Sequence, residues 1–457
     1  MMKKTKPILS FAILVLMIMP VVQADEEKLY FIAPTQIPHV SREMKTAGFW
    51  IERVAKPDKV ILSAQGIAAL NHSIRHELKL TRDLGAVPNP YDGRLLKKEL
   101  SDQLAGFQEK QFFGDDGQVA GEKFFGPQLE RMAPERISDS VDVSYGFVVR
   151  FADQRFLPTD EGLYAAALDI DFDELQNSAL DVATPVVVLH QSADKKWLYV
   201  LSEISNGWVE ASRVALCDRA QFEDYLAAQE FIVITEEKAD IYLDEGMTQF
   251  YDHLRMGARL PALKRGTVHS YTARLPTRER NGRLVMKTAY IDKRKAFDRY
   301  LPFTSRVILE QAFKLLNQPY GWGGMYGEQD CSRLLLEVFA TVGIHLPRDS
   351  KNQARAGRRL AGFEQGAPYE KKIASLKKLS AGNVILPMKG HIMLYLGMAG
   401  GRPYAIHSVW GYREGSDEGD VVRVLNRVVV SDLFLGEGSR KGSLLGRLNA
   451  VVELRRP

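Results

Sequence analysis

One cysteine of the chain stands where a thiol could act as a nucleophile. Cys331 follows Asp330 and precedes Ser332, and the apolar pattern after it predicts a helix that begins here and ends at Gly343. The N-terminus of a helix favours negative charge and therefore helps a thiol to ionise. We predict Cys331 as the nucleophile of a covalent reaction at a carbonyl carbon, with Asp330 as the N-cap of its helix.

Two histidines on predicted strands complete the candidate chemistry. His391 begins a predicted strand over residues 390–396, and His407 lies on the next one. We predict His391 as the general base and His407 as the group that orients it. A single strand histidine is more often structural, but the combination with Cys331 favours catalysis. Zinc binding by these three residues and His345 is a less favoured alternative because no two of them have the close spacing of a ligand pair, so we predict no metal and no cofactor.

The elements around these residues indicate several domains. A glycine-rich aromatic loop over residues 320–327 leads into the predicted Cys331 helix, and helices precede strands from residue 301 onwards. The only other cysteine, Cys217, ends a predicted strand as a buried thiol, and two free thiols are favoured over one disulfide. The predicted fold class is multidomain, with a helical N-terminal region (25–135), two small β-barrels (136–218 and 219–300) and a C-terminal α+β domain (301–457).

The N-terminus and the charge indicate where the protein acts. Residues 1–24 combine three lysines with an apolar run, which predicts a cleavable signal peptide, with a retained membrane anchor as the alternative. Its removal leaves 58 basic and 57 acidic residues. This balance argues against a nucleic-acid partner. We therefore predict an exported protein, periplasmic or extracellular, without stable membrane insertion after signal cleavage.

Five segments together resemble the NlpC-type (NlpC/p60-like) cell-wall cysteine peptidases. They are residues 319–324, 330–332 and 346–350, the pair Gly390-His391, and His407. The preceding regions resemble a subgroup with an N-terminal stabilising domain and two bacterial SH3-like domains. The resemblance implies a papain-like fold and hydrolysis of the γ-D-glutamyl–meso-diaminopimelate bond in peptidoglycan peptides. It also implies Cys331 as nucleophile and His391 and His407 as base and third member.

The same resemblance implies a substrate cleft that accepts a free N-terminal L-alanine. Related proteins differ from this chain at two places: Arg333 follows the motif, near the cleft or on an outer helix face, and Ser205-Asn206 stand where related barrels have a tyrosine. A non-catalytic peptidoglycan-binding protein and a papain-like amidase or acyltransferase remain alternatives. The implied substrate-binding residues are Tyr320, Trp322, Asp330, Ser332, Asp349 and Ser350.

Overall fold

The computed structural model describes residues 37–264, 266–417 and 419–456. These residues form N-terminal helices, two SH3-like β-sheets and a C-terminal α+β domain, so the predicted multidomain fold class is confirmed. The predicted signal peptide, residues 1–24, lies outside the described residues. Among the helices of the described ranges, none has both the length and the hydrophobicity that a membrane span requires.

Capping residues and apolar spacing explain the N-terminal helices. The side chain of Ser63 caps α2, and a π-helical turn over Ser73–Glu77 follows, so the regular α-helix ends at His72. In α3 the buried residues Leu96, Leu100 and Leu104 recur every four positions and form one apolar face. The helices are α1 (Ala47–Ile51), α2 (Ala64–His72), α3 (Gly93–Gln108) and α4 (Glu122–Met132).

The N-terminal helices share their buried side chains with the other parts of the chain. Trp50 of α1 and Leu70 of α2 lie in the core of the C-terminal domain. Leu96 of α3 and Phe125 of α4 lie in the core of the two β-rich units. The helical region therefore connects the barrels to the C-terminal domain.

The first β-rich unit is an antiparallel seven-stranded sheet, preceded by a short pair of strands, β1 (Tyr91–Asp92) and β2 (Ser140–Val141). Trp197 and Trp208 are buried in its core. Its order is β5-β4-β8-β7-β6-β3-β9. The strands are β3 (Ser144–Val148), β4 (Ala152–Arg155), β5 (Gln176–Leu180), β6 (Pro185–Gln191), β7 (Trp197–Leu201), β8 (Asn206–Glu210) and β9 (Val214–Cys217).

The second β-rich unit repeats the topology of the first. Its order is β12-β11-β15-β14-β13-β10-β16, so in both units the third strand forms one edge and the seventh forms the other. The helix α5 (Arg219–Leu226) links the two sheets, and Phe222 packs into their common core. The strands are β10 (Phe231–Ile234), β11 (Lys238–Tyr242), β12 (Phe250–Arg255), β13 (Arg259–Leu263), β14 (Ser270–Arg278), β15 (Leu284–Asp292) and β16 (Ala296–Phe297).

The C-terminal domain packs helices on an antiparallel sheet. The sheet order is β17-β22-β18-β19-β20-β21, and one helix, α7, packs against β19 and β20. This packing brings the residues of α7 to the strands that carry both histidines. The helices are α6 (Ser305–Lys314), α7 (Cys331–Ala340), α8 (Ser350–Gln353), α9 (Tyr369–Leu376) and α10 (Leu444–Arg447). The strands are β17 (Arg358–Gly362), β18 (Val384–Met388), β19 (His391–Ala399), β20 (Arg402–Glu414), β21 (Val421–Asp432) and β22 (Ala450–Glu453).

Candidate active site

The Cys331 thiol lies at the first residue of α7 and is partly exposed. The carboxylate of Asp330 accepts a hydrogen bond from the backbone amide of Arg333 at 2.8 Å and so caps the helix. The helix α7 packs against β19, the strand that begins at His391. Burial, and after it the charge of Asp330, raises the pKa of the Cys331 thiol to about 12. The free site therefore holds a protonated thiol, which needs a base.

The two candidate histidines belong to a hydrogen-bonded chain across three neighbouring strands. His391 is the first residue of β19, and its Nε2 lies 2.8 Å from Nδ1 of His407 on β20. The Nε2 of His407 lies 2.9 Å from Oγ of Ser431 on β21. The side chains of His407 and Ser431 are fully buried. The structure thus brings the two predicted histidines together and adds Ser431, which the sequence did not predict.

Both histidine rings are neutral in this environment. Burial lowers the pKa of His391 to about 3, and the positive charges of Arg447 and Lys441 act in the same direction. Burial lowers the pKa of His407 as well. When His407 donates from Nε2 to Ser431, its Nδ1 must accept from Nε2–H of His391. In this tautomer the Nδ1 of His391 keeps its lone pair and can accept a proton.

The glycine-rich loop before Cys331 is shaped by the first β-rich unit. Gly323 and Gly324 have φ angles of +59° and +87°, which favour glycine. A Cβ atom on Gly323 would lie 2.6 Å from Cγ of Gln176, and one on Gly324 would lie 3.1 Å from Cβ of Ala179. Both neighbours belong to β5. The loop needs glycine because of its backbone conformation and because β5 packs directly on it.

The carboxylate of Asp330 is neutralised inside the protein. Arg348 donates to its two oxygens at 2.6 and 3.2 Å, to Oγ of Ser332 at 3.0 Å and to Oγ of Ser178 at 3.1 Å. Although burial opposes ionisation, Arg348 holds the pKa of Asp330 below its usual value. Ser332 donates from Oγ to the same carboxylate at 2.9 Å, and both side chains are directed at Arg348.

Asp349 and Ser350 lie at the start of the short helix α8. The carboxylate of Asp349 accepts hydrogen bonds from the backbone amide of Asn352 at 2.9 Å and from its Nδ2 at 2.7 Å. Asp349 is exposed, and within the described residues it forms no ion pair. Its negative charge is therefore available to a ligand, in contrast to that of Asp330.

An aromatic cluster joins the first β-rich unit to the predicted loop residues Tyr320 and Trp322. Phe172, which precedes β5, lies between the rings of Trp322 and Trp410 at centroid distances of 5.2 Å each, and its ring centroid is 6.5 Å from that of Tyr320. Trp322 donates from Nε1 to the carbonyl oxygen of Asp173 at 2.9 Å. Burial raises the pKa of Tyr320, so its hydroxyl keeps its proton and can donate a hydrogen bond.

Family models match two parts of the chain. Residues 163–210 match the SH3 domain of the SH3b1 type. Residues 317–415 match the NlpC/P60 family, and this range contains Cys331, His391 and His407. The C-terminal domain is an NlpC/P60 domain. The resemblance predicted from the sequence is thereby confirmed.

The chain is similar to two solved structures and to one characterised protein. A structure described as a novel NlpC/P60 endopeptidase from Photobacterium damselae subsp. piscicida aligns over 93% of this chain and 98% of that chain, with 21% identity and a TM-score of 0.74. An NlpC/P60 family protein from Bacillus cereus aligns over 67% of this chain and 98% of that chain, with 18% identity and a TM-score of 0.47. The bifunctional muramidase/DL-endopeptidase CwlT of Bacillus subtilis is 34% identical over 86 residues, 17% of this chain and 26% of that protein. This chain thus matches about a quarter of CwlT, and the first alignment shows a shared fold.

Arg333 belongs to a group of buried charges that connects the NlpC/P60 domain with both β-rich units. The side chain is buried and donates to Asp181 of the first unit at 2.7 Å and to Glu337 at 2.7 Å. Arg255 of the second unit donates to the same Asp181 at 2.9 Å. The expectation of an outer helix face is wrong, and the charge of Arg333 is neutralised by Asp181 and Glu337 rather than offered to a substrate.

Asn206, one of the two residues that stand where related barrels have a tyrosine, has its side chain turned towards α3 and the strand β7. Asn206 donates from Nδ2 to Glu99 of α3 at 2.5 Å and to the hydroxyl of Tyr199 at 2.8 Å. The first unit contacts the NlpC/P60 domain through β5, through the preceding segment that carries Phe172, and through Glu203, which lies 3.1 Å from Nδ1 of His345. Sequence reasoning missed Phe172 and Trp410 because their roles depend on contacts between domains.

Proposed function

We propose that the protein is a cysteine endopeptidase that hydrolyses the γ-D-glutamyl–meso-diaminopimelate bond of peptidoglycan stem peptides or muropeptides in cell-wall turnover or recycling. The observation that carries this proposal is the position of Cys331 at the start of α7, which packs against the strands β19 and β20 that carry the hydrogen-bonded pair His391 and His407. The NlpC/P60 match supports it, as does the similarity to a protein named as a DL-endopeptidase.

The first chemical step forms an acyl-enzyme. Because the thiol and the imidazole are both neutral in the free site, transfer of the thiol proton to Nδ1 of His391 accompanies the attack of the sulfur on the carbonyl carbon. The backbone amide of Cys331 and the hydroxyl of Tyr320 are the proposed donors to the oxyanion. His407 and Ser431 keep the imidazole in the tautomer that accepts this proton.

The second half of the reaction restores the enzyme. The imidazolium of His391 gives its proton to the leaving amine of the diamino acid as the C–N bond breaks, which leaves a thioester on Cys331. Water then loses a proton to His391 and attacks the thioester, and the thiolate takes that proton back as the acid product leaves. The products are a peptide that ends in D-glutamate and a free diamino acid.

The substrate is proposed to carry a free N-terminal L-alanine. An ammonium group in a cleft needs negative charge, and Asp349 is exposed and has no cationic partner within the described residues. Asp330 is occupied by Arg348, so we assign Asp349, with Ser350 beside it, as the anchor for the amine and Asp330 and Ser332 as residues that shape the cleft. The indole of Trp322 contributes to one wall.

The proposed place of action is the periplasm or the outside of the cell. The support is the signal-like pattern of residues 1–24 together with the proposed peptidoglycan substrate.

The deciding experiment is incubation of the purified protein with L-Ala-γ-D-Glu-meso-diaminopimelate, followed by mass spectrometry of the products. We expect release of diaminopimelate, and loss of this release in Cys331→Ala. The matched control is Cys217→Ala, which removes the other thiol from a buried strand end and keeps the activity. Undiminished release by Cys331→Ala, or no release by the wild type, would overturn the proposal.

A second substrate tests the amine anchor. The same peptide joined to N-acetylmuramic acid lacks the free alanine amine, and we expect slower cleavage of it. Asp349→Asn should lose the preference between the two peptides while the muramyl peptide is cut as before. Equal cleavage of both peptides by the wild type would contradict the assignment of Asp349.

A further inference from the structure

Three basic side chains on neighbouring elements form no ion pair with a carboxylate in the described part of the chain, and the charges of two of them, Arg447 and Lys441, act on His391. They are Arg413 near the end of β20, Lys441 in the loop after β21 and Arg447 at the end of α10. Arg423 on β21, by contrast, binds Glu414 at 2.7 Å. Unpaired positive charges beside a reaction centre suggest an anionic ligand.

The backbone places Arg447 next to the base. Leu448, the residue after Arg447, forms a β-bridge with Met388. Met388 is the cross-strand partner of His391 in the pairing of β18 with β19. The end of α10 is therefore fixed beside the first residue of β19, where the imidazole lies. Lys372 holds the same turn in place by donating to the carbonyl oxygen of Gly446 at 2.7 Å.

The loop that carries Lys441 contacts the end of β20. A Cβ on Gly436 would lie 3.4 Å from the carbonyl oxygen of Arg413. The charges of Arg447 and Arg413 both act on Lys441 and lower its pKa, after the larger effect of burial. These contacts bring side chains from three separate elements into one cationic group.

Arg447 is the central member of this group because it is partly buried and unsatisfied. Its Nε atom is inaccessible to solvent and has no hydrogen-bond partner. A buried donor without a partner is costly, and a guanidinium group is well suited to bind a carboxylate through two parallel hydrogen bonds. A ligand carboxylate bound at the terminal Nη atoms, which are not among the buried unpartnered atoms, would offset the positive charge that acts on His391.

We propose that Arg447, together with Lys441 and Arg413, forms a subsite for a carboxylate of the substrate close to the scissile amide. The inference rests on the proposed function and assigns the part of the substrate that this side of the site receives. A γ-linked D-glutamyl residue keeps its α-carboxylate, and the diamino acid carries a carboxylate at the far end of its side chain. Both groups lie within a few bonds of the scissile amide, and substrate analogues can distinguish them.

Three peptides separate the two sources of the carboxylate. The reference is L-Ala-γ-D-Glu-meso-diaminopimelate; the second peptide has D-isoglutamine in place of D-glutamate, and the third has L-lysine in place of the diamino acid. All three carry an amide at the α-carboxyl group of the third residue, so that this group cannot act as the bound carboxylate. We expect one of the two analogues to lose about 10- to 100-fold in kcat/KM, the range for a charge-assisted hydrogen bond. That analogue identifies the carboxylate, and equal cleavage of all three peptides would overturn the subsite.

The variants test whether these residues cause the discrimination. Arg447→Gln should lower kcat/KM for the reference peptide and leave the poor analogue unchanged, whereas Arg447→Lys should retain part of the preference. Lys441→Gln tests an exposed position that carries little risk of misfolding. Lys378→Gln is the matched control, since it removes an exposed charge elsewhere in the same domain. Equal losses on all three peptides would assign Arg447 a structural role and contradict the proposal.

A measurement that needs no peptide separates this proposal from the proposed function. Iodoacetate and iodoacetamide both alkylate Cys331, but only iodoacetate is an anion. We expect the ratio of their rates to fall by roughly threefold for each charge removed at Arg447 or Lys441, as a Coulomb interaction over about 7 Å in water gives. If no peptide is cleaved but the ratio falls as expected, the peptidase proposal fails and the anion subsite stands. An unchanged ratio in both variants would overturn the subsite.

Discussion

Substitution of Arg255 by methionine tests how strongly the barrels and the NlpC/P60 domain depend on each other. Arg255 of the second unit and Arg333 of α7 face Asp181 of the first unit and Glu337 of α7, so two positive and two negative side chains meet inside the protein. Arg255 and Glu337 are fully buried. Arg255→Met replaces the aliphatic stem of the arginine by an unbranched apolar chain but leaves the group with one uncompensated negative charge.

The expected cost follows from this imbalance. Removal of one partner from a buried ion pair costs about 3–5 kcal/mol in the free energy of unfolding. At 2–4 °C per kcal/mol for domains of 150–250 residues, that loss lowers Tm by roughly 6–20 °C. Removal of Asp181 as well, in Arg255→Met with Asp181→Asn, leaves the neutral pair of Arg333 and Glu337. The double variant should therefore be more stable than Arg255→Met alone.

The assay is thermal unfolding of the full chain followed by circular dichroism, with urea titration of the same variants. Arg294→Met is the matched control because this side chain is 87% exposed and pairs with Asp292 on the surface of the same unit. We expect the control to change stability by less than about 1 kcal/mol. A loss below 1 kcal/mol in Arg255→Met, or additive losses in the double variant, would refute the view that these charges depend on one another.

Three further predictions concern the loop and the histidine chain. Gly323→Ala should lower the free energy of unfolding by about 1–3 kcal/mol, because the new Cβ atom would clash with β5. The control Gly400→Ala has a similar positive φ but no atom within 4 Å of the new Cβ, so it should lower stability less. Equal losses in thermal melts would contradict the predicted clash. His407 should make the protein less stable as the pH falls below about 6.5, because the histidine is protonated in the unfolded chain but stays neutral when its ring is buried. The free energy of unfolding should fall by at most about 1.4 kcal/mol per pH unit from this residue. His407→Gln should remove this part of the slope, and an unchanged slope in urea titrations from pH 4 to 6.5 would count against it. Ser431→Ala should lower kcat about tenfold with little change in KM, as expected for one lost orienting hydrogen bond, and a change in KM alone would argue against that role.

The core of the site could be predicted from the sequence because its signals are local. An N-cap, an apolar helical face and strand alternation identify Cys331, His391 and His407 without knowledge of their neighbours. Ser431 could not be found in this way, since it lies on a third strand and contributes only through the side chain of His407. The pairing of Arg348 with Asp330 also depends on how two separate elements pack.

The topological repeat of the two β-rich units is invisible in the residues themselves. Both sheets follow the strand order 3-2-6-5-4-1-7 when their own strands are counted along the chain. Strand order depends on which strands pair, and many different side chains satisfy the same pairing. Inspection of the sequence therefore gives the number and approximate place of most strands but not their shared arrangement.

Two strands of the first unit, β4 and β5, lack the residue pattern by which strands are predicted from sequence. In β4 and β5 the side chains of Gln154, Arg155, Gln176 and Ser178 are buried, so these strands lack the apolar alternation of a strand with one solvent-exposed face. Their polar groups bind partners: Gln176, for example, donates from Nε2 to Asp153 at 2.7 Å. Burial here comes from another domain, which local sequence patterns do not report.

One interface joins the barrels to the NlpC/P60 domain. The polar strands lie on its barrel side, and the glycines of the loop and the buried Arg333 lie on the side of the NlpC/P60 domain. The loop carries glycine where β5 approaches it, and α7 carries buried charges where Asp181 and Arg255 neutralise them. Without the barrels, Arg333 and Glu337 would still pair with each other, but the loop before Cys331 would lose the surface that sets its shape. The β-rich units therefore act as part of the active-site structure, because the loop that precedes the nucleophile takes its conformation from them.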